Sequence, residues 1–360
     1  MVKRPMTDNA AKRRRARIML WSAAAIVVGA LLAPLTGYVY VAIDQAMAQS
    51  SAAEQQTNPR ANYWRAVREG NEGYTAASGP YTTNVLIQNG GQNWRQLRNG
   101  PVAGILPWLL ALVVLALGLF TVWRGQIRLD HRPSGRTVAR WGLNERVLHW
   151  YTAILFIILA ISGLSLLFGR AVLIPLLGLN GFGAYASVAI ALHNYLGPFF
   201  MVGVLIEIVA WVKHALPEKT DWQWIKQGGG FFGRGAHPHA GHINAGEKLL
   251  TFWVGLVVLG IAVCATGLIM DFPGFGQSRE TMQVSNLIHG VASVIWVALM
   301  LGHMYLGSVA MEGTLDAMTK GRVSVEWAKQ HHDLWYDEQR RKGIADEGGK
   351  AERPAPRTAS

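Results

Sequence analysis

His149, His193, His289 and His303 lie inside long apolar runs or at their ends, where an imidazole is costly and calls for a partner. Two of them share the run "NLIHGVASVIWVALMLGHMY", with His289 and His303 separated by 14 positions. As an α-helix, that interval advances about 21 Å and turns to within about 40° of a whole number of turns. Both rings therefore face the same side, near opposite ends of one helix. His149 then falls at the depth of His303, and His193 at the depth of His289. Two imidazoles at each of two depths is what two six-coordinate b-type haems require, since iron in a porphyrin has two axial positions and neutral imidazole fills them well. The quartet is the candidate set of haem-iron ligands.

The elements that must position these rings are membrane helices. The 360-residue chain is 51% hydrophobic, and its apolar residues gather in blocks near 19–43, 102–123, 147–168, 187–212, 249–270 and 288–311. Each block is long enough to cross a bilayer as a helix. The last four alternate in direction, the arrangement in which facing helices build cofactor sites. The expected fold is an all-α membrane protein, a four-helix up-down transmembrane bundle with two haems. Two additional N-terminal membrane helices precede it, and the first reads as a signal peptide or a signal anchor.

Charge and turn residues set the organisation. Residues 1–48 join a basic head to an apolar run ending at Ala46-Met47-Ala48, a signal-peptidase pattern. Residues 49–100 are polar and rich in Gly, Asn and Arg, and read as an extracytoplasmic module on the periplasmic side. Residues 101–124 form the next helix, 125–145 a basic cytoplasmic linker, 146–312 the bundle and 313–360 a charged cytoplasmic tail. The formal net charge of +12 sits in tails and between apolar blocks, most densely at Arg124, Arg128, Arg132, Arg136, Arg140 and Arg146. That placement fits the cytoplasmic flanks of helices in a bacterial inner membrane, not a nucleic-acid surface. Both chain ends then fall in the cytoplasm. The single cysteine, Cys264, excludes an internal disulfide, a cysteine-ligated iron–sulfur cluster and a covalent haem-attachment motif.

The plainer reading of the quartet has each histidine bonded to a neighbouring helix's hydroxyl or carbonyl, and the matched depths count against it. A histidine-based cation transporter is the reading from another class, yet Glu207 is the one carboxylate well inside these spans. His237, His239 and His242 in "HPHAGH" read as a flexible, solvated loop, and His131, His214, His331 and His332 receive no ligand role. Gly197, Gly290 and Gly302 offer room beside the ligands for a flat plate. Arg146 suits either a haem propionate or positive-inside anchoring.

The segments "NERVLHW", "LHNYLGP", "HINAGEKLLTFW", "LIHGVAS", "LGHMY" and "GRVSVEWAKQHHDLWY" resemble, in order and spacing, the gamma subunit of respiratory formate dehydrogenase, the membrane cytochrome b of that complex. The resemblance covers about 143–336. It implies a dihaem cytochrome that takes electrons from an iron–sulfur beta subunit, partnered by a molybdenum- or tungsten-containing catalytic alpha subunit. It further implies reduction of menaquinone or ubiquinone, with no other catalysis in this chain. His193 and His289 would hold the outer haem, His149 and His303 the inner one. The quinone pocket would lie by the inner haem at Asn244, Gly246 and His303, with Glu247 standing where some members have Gln. From the residues alone, Asn244 and Glu247 read equally well as an N-cap and the acidic residue that completes a capping box. The alternative of the same architecture is the cytochrome b anchor of another oxidoreductase, a hydrogenase or a thiosulfate reductase.

Overall fold

The computed structural model describes residues 68–69, 89–231 and 237–343. The signal peptide or anchor at 1–48 and most of the module at 49–100 lie outside the described residues. Four helices are long and apolar enough to cross a membrane, and the first is α1, Asn93–Arg124. It relaxes to π winding at Arg98–Val102, where Pro101 removes a backbone donor. The second, Leu143–His214, is more than twice as long as a bilayer requires. Gly178 breaks it with φ 69° and ψ 174°, a backbone state open to glycine and strained for other residues. Its halves are α2 (143–177) and α3 (179–211). They run antiparallel, since Tyr185 Oη donates to Ser165 Oγ (2.7 Å) near the break and Tyr151 Oη to Phe199 O (2.9 Å) far from it.

A short helix, α4 (Lys219–Lys226), leads to α5 (Glu247–Asp271), which is π-wound through Gly260 and α-helical from Ile261. Buried Lys248 ties the two together, its Nζ 3.1 Å from both Asp221 carboxylate oxygens and 3.3 Å from Glu218 Oε2. The last long helix, α6 (Arg279–Ala310), starts at Ser278, whose Oγ accepts from Thr281 N at 3.1 Å. The chain is an integral membrane protein, and with the bend at Gly178 its described residues hold five long apolar helical segments. Leu196, Phe200, Val204, Phe252 and Trp296 fill the space between helices, while Ile161, Val209 and Val258 stay exposed. Lipid is as apolar as those side chains, so close packing and interhelical hydrogen bonds hold the bundle together.

One end of the bundle carries a folded cap. Strand β1 (Thr137–Ala139) pairs antiparallel with β2 (Arg322–Ser324), Val138 opposite Val323. Helices α7 (Leu315–Thr319), α8 (Val325–His331) and α9 (Asp333–Arg341) surround them. A second core of Val138, Val323, Val325, Trp327, Trp335 and Tyr336 results. Segments expected as a basic linker and a charged tail thus bury apolar faces against each other.

The reading of His237, His239 and His242 as a flexible, solvated loop is corrected by this cap. His237 pairs with Asp130 at 3.1 Å, and His239 with Asp333. Ala240 N donates to Asp333 Oδ1 at 3.1 Å, and Arg140 Nη2 to His242 O at 2.6 Å. His332 donates from Nδ1 to Gly241 O (2.8 Å), while its Nε2 accepts from Arg140 (3.1 Å). Arg140 lies over the rings of Trp327 and Trp335, 4.8 and 4.9 Å from their centres. The acidic partners come from segments about a hundred residues away in either direction, so no local pattern announced them.

Candidate functional site

The cap-side end of α2 is held before any cofactor is considered. Gly142 N donates to Glu145 Oε2 at 2.8 Å and starts the helix. Arg146 Nη1 reaches Thr319 O at 2.8 Å and Trp150 Nε1 reaches Met318 O at 3.1 Å. Arg146, a candidate for a haem propionate or for positive-inside anchoring, is thus also bonded to the cap. Between these two anchors His149 turns inward and meets His303 of α6, ring centres 6.3 Å apart. Trp150 and Trp211 flank the His149 ring at 5.3 and 6.4 Å. Its Nδ1 is buried without a hydrogen-bond partner among the described residues, a state that calls for explanation in a native protein.

At the distal level, His193 of α3 and His289 of α6 stand 6.0 Å apart by ring centres. Ser162 donates its hydroxyl to Ile158 O at 2.9 Å, so its oxygen accepts from His193 Nδ1, also at 2.9 Å. His289 Nδ1 donates to Val263 O at 3.0 Å, with Thr266 Oγ1 at 3.3 Å. Fixing Nδ1–H in both rings leaves each Nε2 with the lone pair, the tautomer a metal needs. Glycines let the rings sit this deep: a Cβ on Gly163 would be 3.0 Å from His193 Cε1, and one on Gly267 would be 3.2 Å from His289 Cε1.

A cavity of about 370 Å³ opens beside the distal pair. Gly197 and Gly290 line it and a Cβ on either would meet open space; a Cβ on Gly302, the third glycine singled out by the sequence, also meets nothing. Trp296, seven residues from each histidine of α6, forms the floor between levels with Phe156 and Phe200, 5.2 and 5.5 Å from their ring centres. Sequence reading missed Ser162, Thr266, Gly163, Gly267 and Trp296. The midpoint position of Trp296 on the helix face shared by His289 and His303 was the one signal that could have found it.

The pairs fit iron in a porphyrin. An imidazole nitrogen sits about 2 Å from a first-row metal and about 1 Å from its own ring centre, so two imidazoles on opposite sides of one iron place their centres roughly 6 Å apart. Both pairs have that spacing, and both join separate helices.

Asn244, Gly246 and Glu247 lie where α5 begins, at the cap. Glu247 N donates to Asn244 Oδ1 (3.0 Å) and Asn244 N to Glu247 Oε2 (2.8 Å), a reciprocal capping box. Gly246 is required by packing, since a Cβ there would stand 2.8 Å from Trp224 Cη2. Asn244 also borders a cavity of about 30 Å³ shared with Trp224, Phe231 and His237, the space of a single water.

The profile of the prokaryotic cytochrome b561 family matches residues 140–321, and the chain belongs to that family of membrane b-type cytochromes. Membership implies haem b, and the histidine geometry fits it. Its relatives include the cytochrome b556(Fdn) subunit of the nitrate-inducible formate dehydrogenase of Escherichia coli K12, 30% identical over 57% of this chain and 93% of the relative. The cytochrome b556(fdo) formate dehydrogenase subunit of the same organism is 29% identical over 57% and 94%. The formate dehydrogenase cytochrome b556 subunit of Haemophilus influenzae is 28% identical over 54% and 80%.

Proposed function

We propose that this chain is the dihaem cytochrome b subunit that anchors a respiratory formate dehydrogenase in a bacterial inner membrane and passes electrons from an iron–sulfur subunit to quinone. The observation that carries the reading is the spacing of two histidine pairs, 6.0 and 6.3 Å between ring centres, at two levels of one bundle. His193 and His289 are assigned to the distal, outer haem, His149 and His303 to the cap-side, inner one. Bound haem b supplies one-electron transfer at each level. The chain's own residues orient the imidazoles through Ser162 and Val263, and Trp296, Phe156 and Phe200 keep the interval between levels apolar and closed.

The quinone site is assigned to Asn244, Gly246, Glu247 and His303 at the inner end. Its support is the family resemblance together with a polar cluster at the junction of cap and membrane helices. The capping box uses Asn244 Oδ1 and leaves its Nδ2 outside, free of that role and able to donate toward a quinone carbonyl. The orientation, both termini cytoplasmic and 49–100 periplasmic, is supported by Arg124, Arg128, Arg140, Lys213 and Lys219, which gather at the cap end. The relatives are named as subunits of formate dehydrogenases, which supports further subunits here; the family resemblance supports taking these as an iron–sulfur beta subunit and a molybdenum- or tungsten-containing alpha subunit.

Purification of the chain from its native membrane tests the reading. The expected result is two b-type haems per chain, reducible by formate, with a molybdenum- or tungsten-containing partner. A nickel–iron partner assigns the anchor to a hydrogenase, and a colourless protein overturns the cytochrome reading altogether.

A further inference from the structure

We propose that Arg98, which belongs to α1 and not to the four-helix bundle, anchors the carboxylate edge of the group held at the distal pair, the propionates of a haem. The proposal rests on the two-haem reading above and adds a residue from outside the matched region 140–321. Helix α1 is docked on α6 at both ends: Trp94 Nε1 donates to Asn286 Oδ1 at 3.3 Å, and Thr121 Oγ1 and Tyr305 Oη share a 2.7 Å hydrogen bond. Trp94, Arg98 and Val102 recur at intervals of four, which stacks them on one helix face. That face meets the distal cavity, whose wall includes both Arg98 and Val102.

The cavity changes character along its length. Beside the histidines its wall is apolar, with Phe156, Phe200 and Trp296, and toward the end away from the cap it turns polar, with Arg98, Asn286 and Asp271. A flat apolar ligand with acids on one edge matches that gradient. Arg98 is half-buried, and among the described residues its guanidinium hydrogen-bonds only Asn99 Oδ1, at 3.0 Å. Most of its five donors remain for a ligand. Arg170 stands near enough to repel it, and no ion pair among the described residues engages either guanidinium. Two like charges at the edge of an apolar span favour an anion between them. A guanidinium fork takes a carboxylate bidentately. Asp271, on the same wall, repels a propionate and so turns the acids toward Arg98.

The test uses the full chain in its purified membrane complex. Haem content and potentiometric titration of the b-type spectrum are compared for the unaltered protein, Arg98→Gln, Arg98→Lys, Arg95→Gln and His289→Ala. Removing a cation beside a redox iron disfavours adding an electron. The expected result for Arg98→Gln is a lowered midpoint and easier haem loss, confined to the component that His289→Ala lacks. Arg98→Lys recovers part of both, and Arg95→Gln, which removes the same charge from the same helix away from the cavity wall, changes neither. If Arg98→Gln fails to accumulate, Arg98→Lys decides: its distal haem must be held less firmly than in the unaltered protein. Unchanged midpoints with full haem content, a shift in the other component, or an equal shift in Arg95→Gln overturns the proposal. Fewer than two haems in the unaltered protein breaks the underlying reading first, and the proposal with it.

Discussion

The two histidine pairs share a spacing and differ in how they are held. At the distal level each Nδ1 is fixed from within the bundle, His193 by Ser162 and His289 by Val263, with a glycine opposite each ring. At the cap-side level His149 Nδ1 has no such partner among the described residues. Its ring is located by flanking tryptophans, and the turns on either side of it are tied to α7 of the cap through Arg146 and Trp150. One site is therefore preorganised by the membrane helices themselves, the other by a domain outside them. The difference teaches that equal ligand geometry can rest on supports that fail under different conditions.

Removing a ligand is the most severe test of the comparison. His289→Ala and His303→Ala should each abolish one haem and leave the other, reducing the b-type difference spectrum by roughly half. Loss of both haems in either variant would show that the levels are not independent. Trp296→Ala, which empties the floor common to both, should cost about 3–5 kcal/mol and lower haem retention at both levels, read by pyridine haemochrome assay after detergent washing.

Acid should separate the pairs. Burial, reinforced by the charge of Arg140, pushes His242 down to about 2, His331 to about 4 and His332 well below the usual histidine range. The folded cap keeps these rings neutral, whereas an unfolded chain protonates them near pH 6.5, so the unfolded state binds more protons below that value and stability falls as pH drops. At about pH 5 the penalty is about 2 kcal/mol per histidine. Amide hydrogen exchange should show the cap loosening between about pH 6.5 and pH 5, with the cap-side haem perturbed before the distal one.

Smaller substitutions sharpen the contrast. Gly163→Ala or Gly267→Ala crowds a distal imidazole and should cost about 1–3 kcal/mol, with weaker haem retention at that level alone. Gly302→Ala, whose Cβ meets no protein atom within 4 Å, fills space the glycine leaves for a haem and should lower haem retention at the cap-side level alone. Ser162→Ala leaves His193 Nδ1 without its acceptor and should weaken distal haem binding about 10-fold, an effect with no counterpart at His149.

The membrane helices were legible because a bilayer demands runs of apolar residues near 20 in length: the expected spans at 102–123, 147–168, 187–212 and 249–270 fall within observed helices, and that at 288–311 overruns its helix, which ends at Ala310, by one residue. The run at 19–43 lies outside the described residues. The levels of His289 and His303 were legible because helix geometry alone relates positions on one element. The capping box at Asn244 and Glu247 was legible for the same reason, its bonds spanning three residues. The cap was not: Val138 meets Val323, and Asp333 meets His239, across nearly two hundred and nearly a hundred residues, and charge-rich composition gave those segments the look of solvent-exposed chain.

The sequence by itself determined that the chain crosses a membrane several times, that four imidazoles lie within those crossings, and that two of them share a helix face. These are consequences of local periodicity and of the cost of polar groups in hydrocarbon. The tertiary structure decided which hydroxyl and carbonyl fix the distal rings, that tryptophans and a folded cap take that part at the other level, and that Arg98 reaches the distal cavity from a helix outside the bundle. Those outcomes depend on how separate helices approach one another, a packing relation set by side-chain shape across long sequence separations.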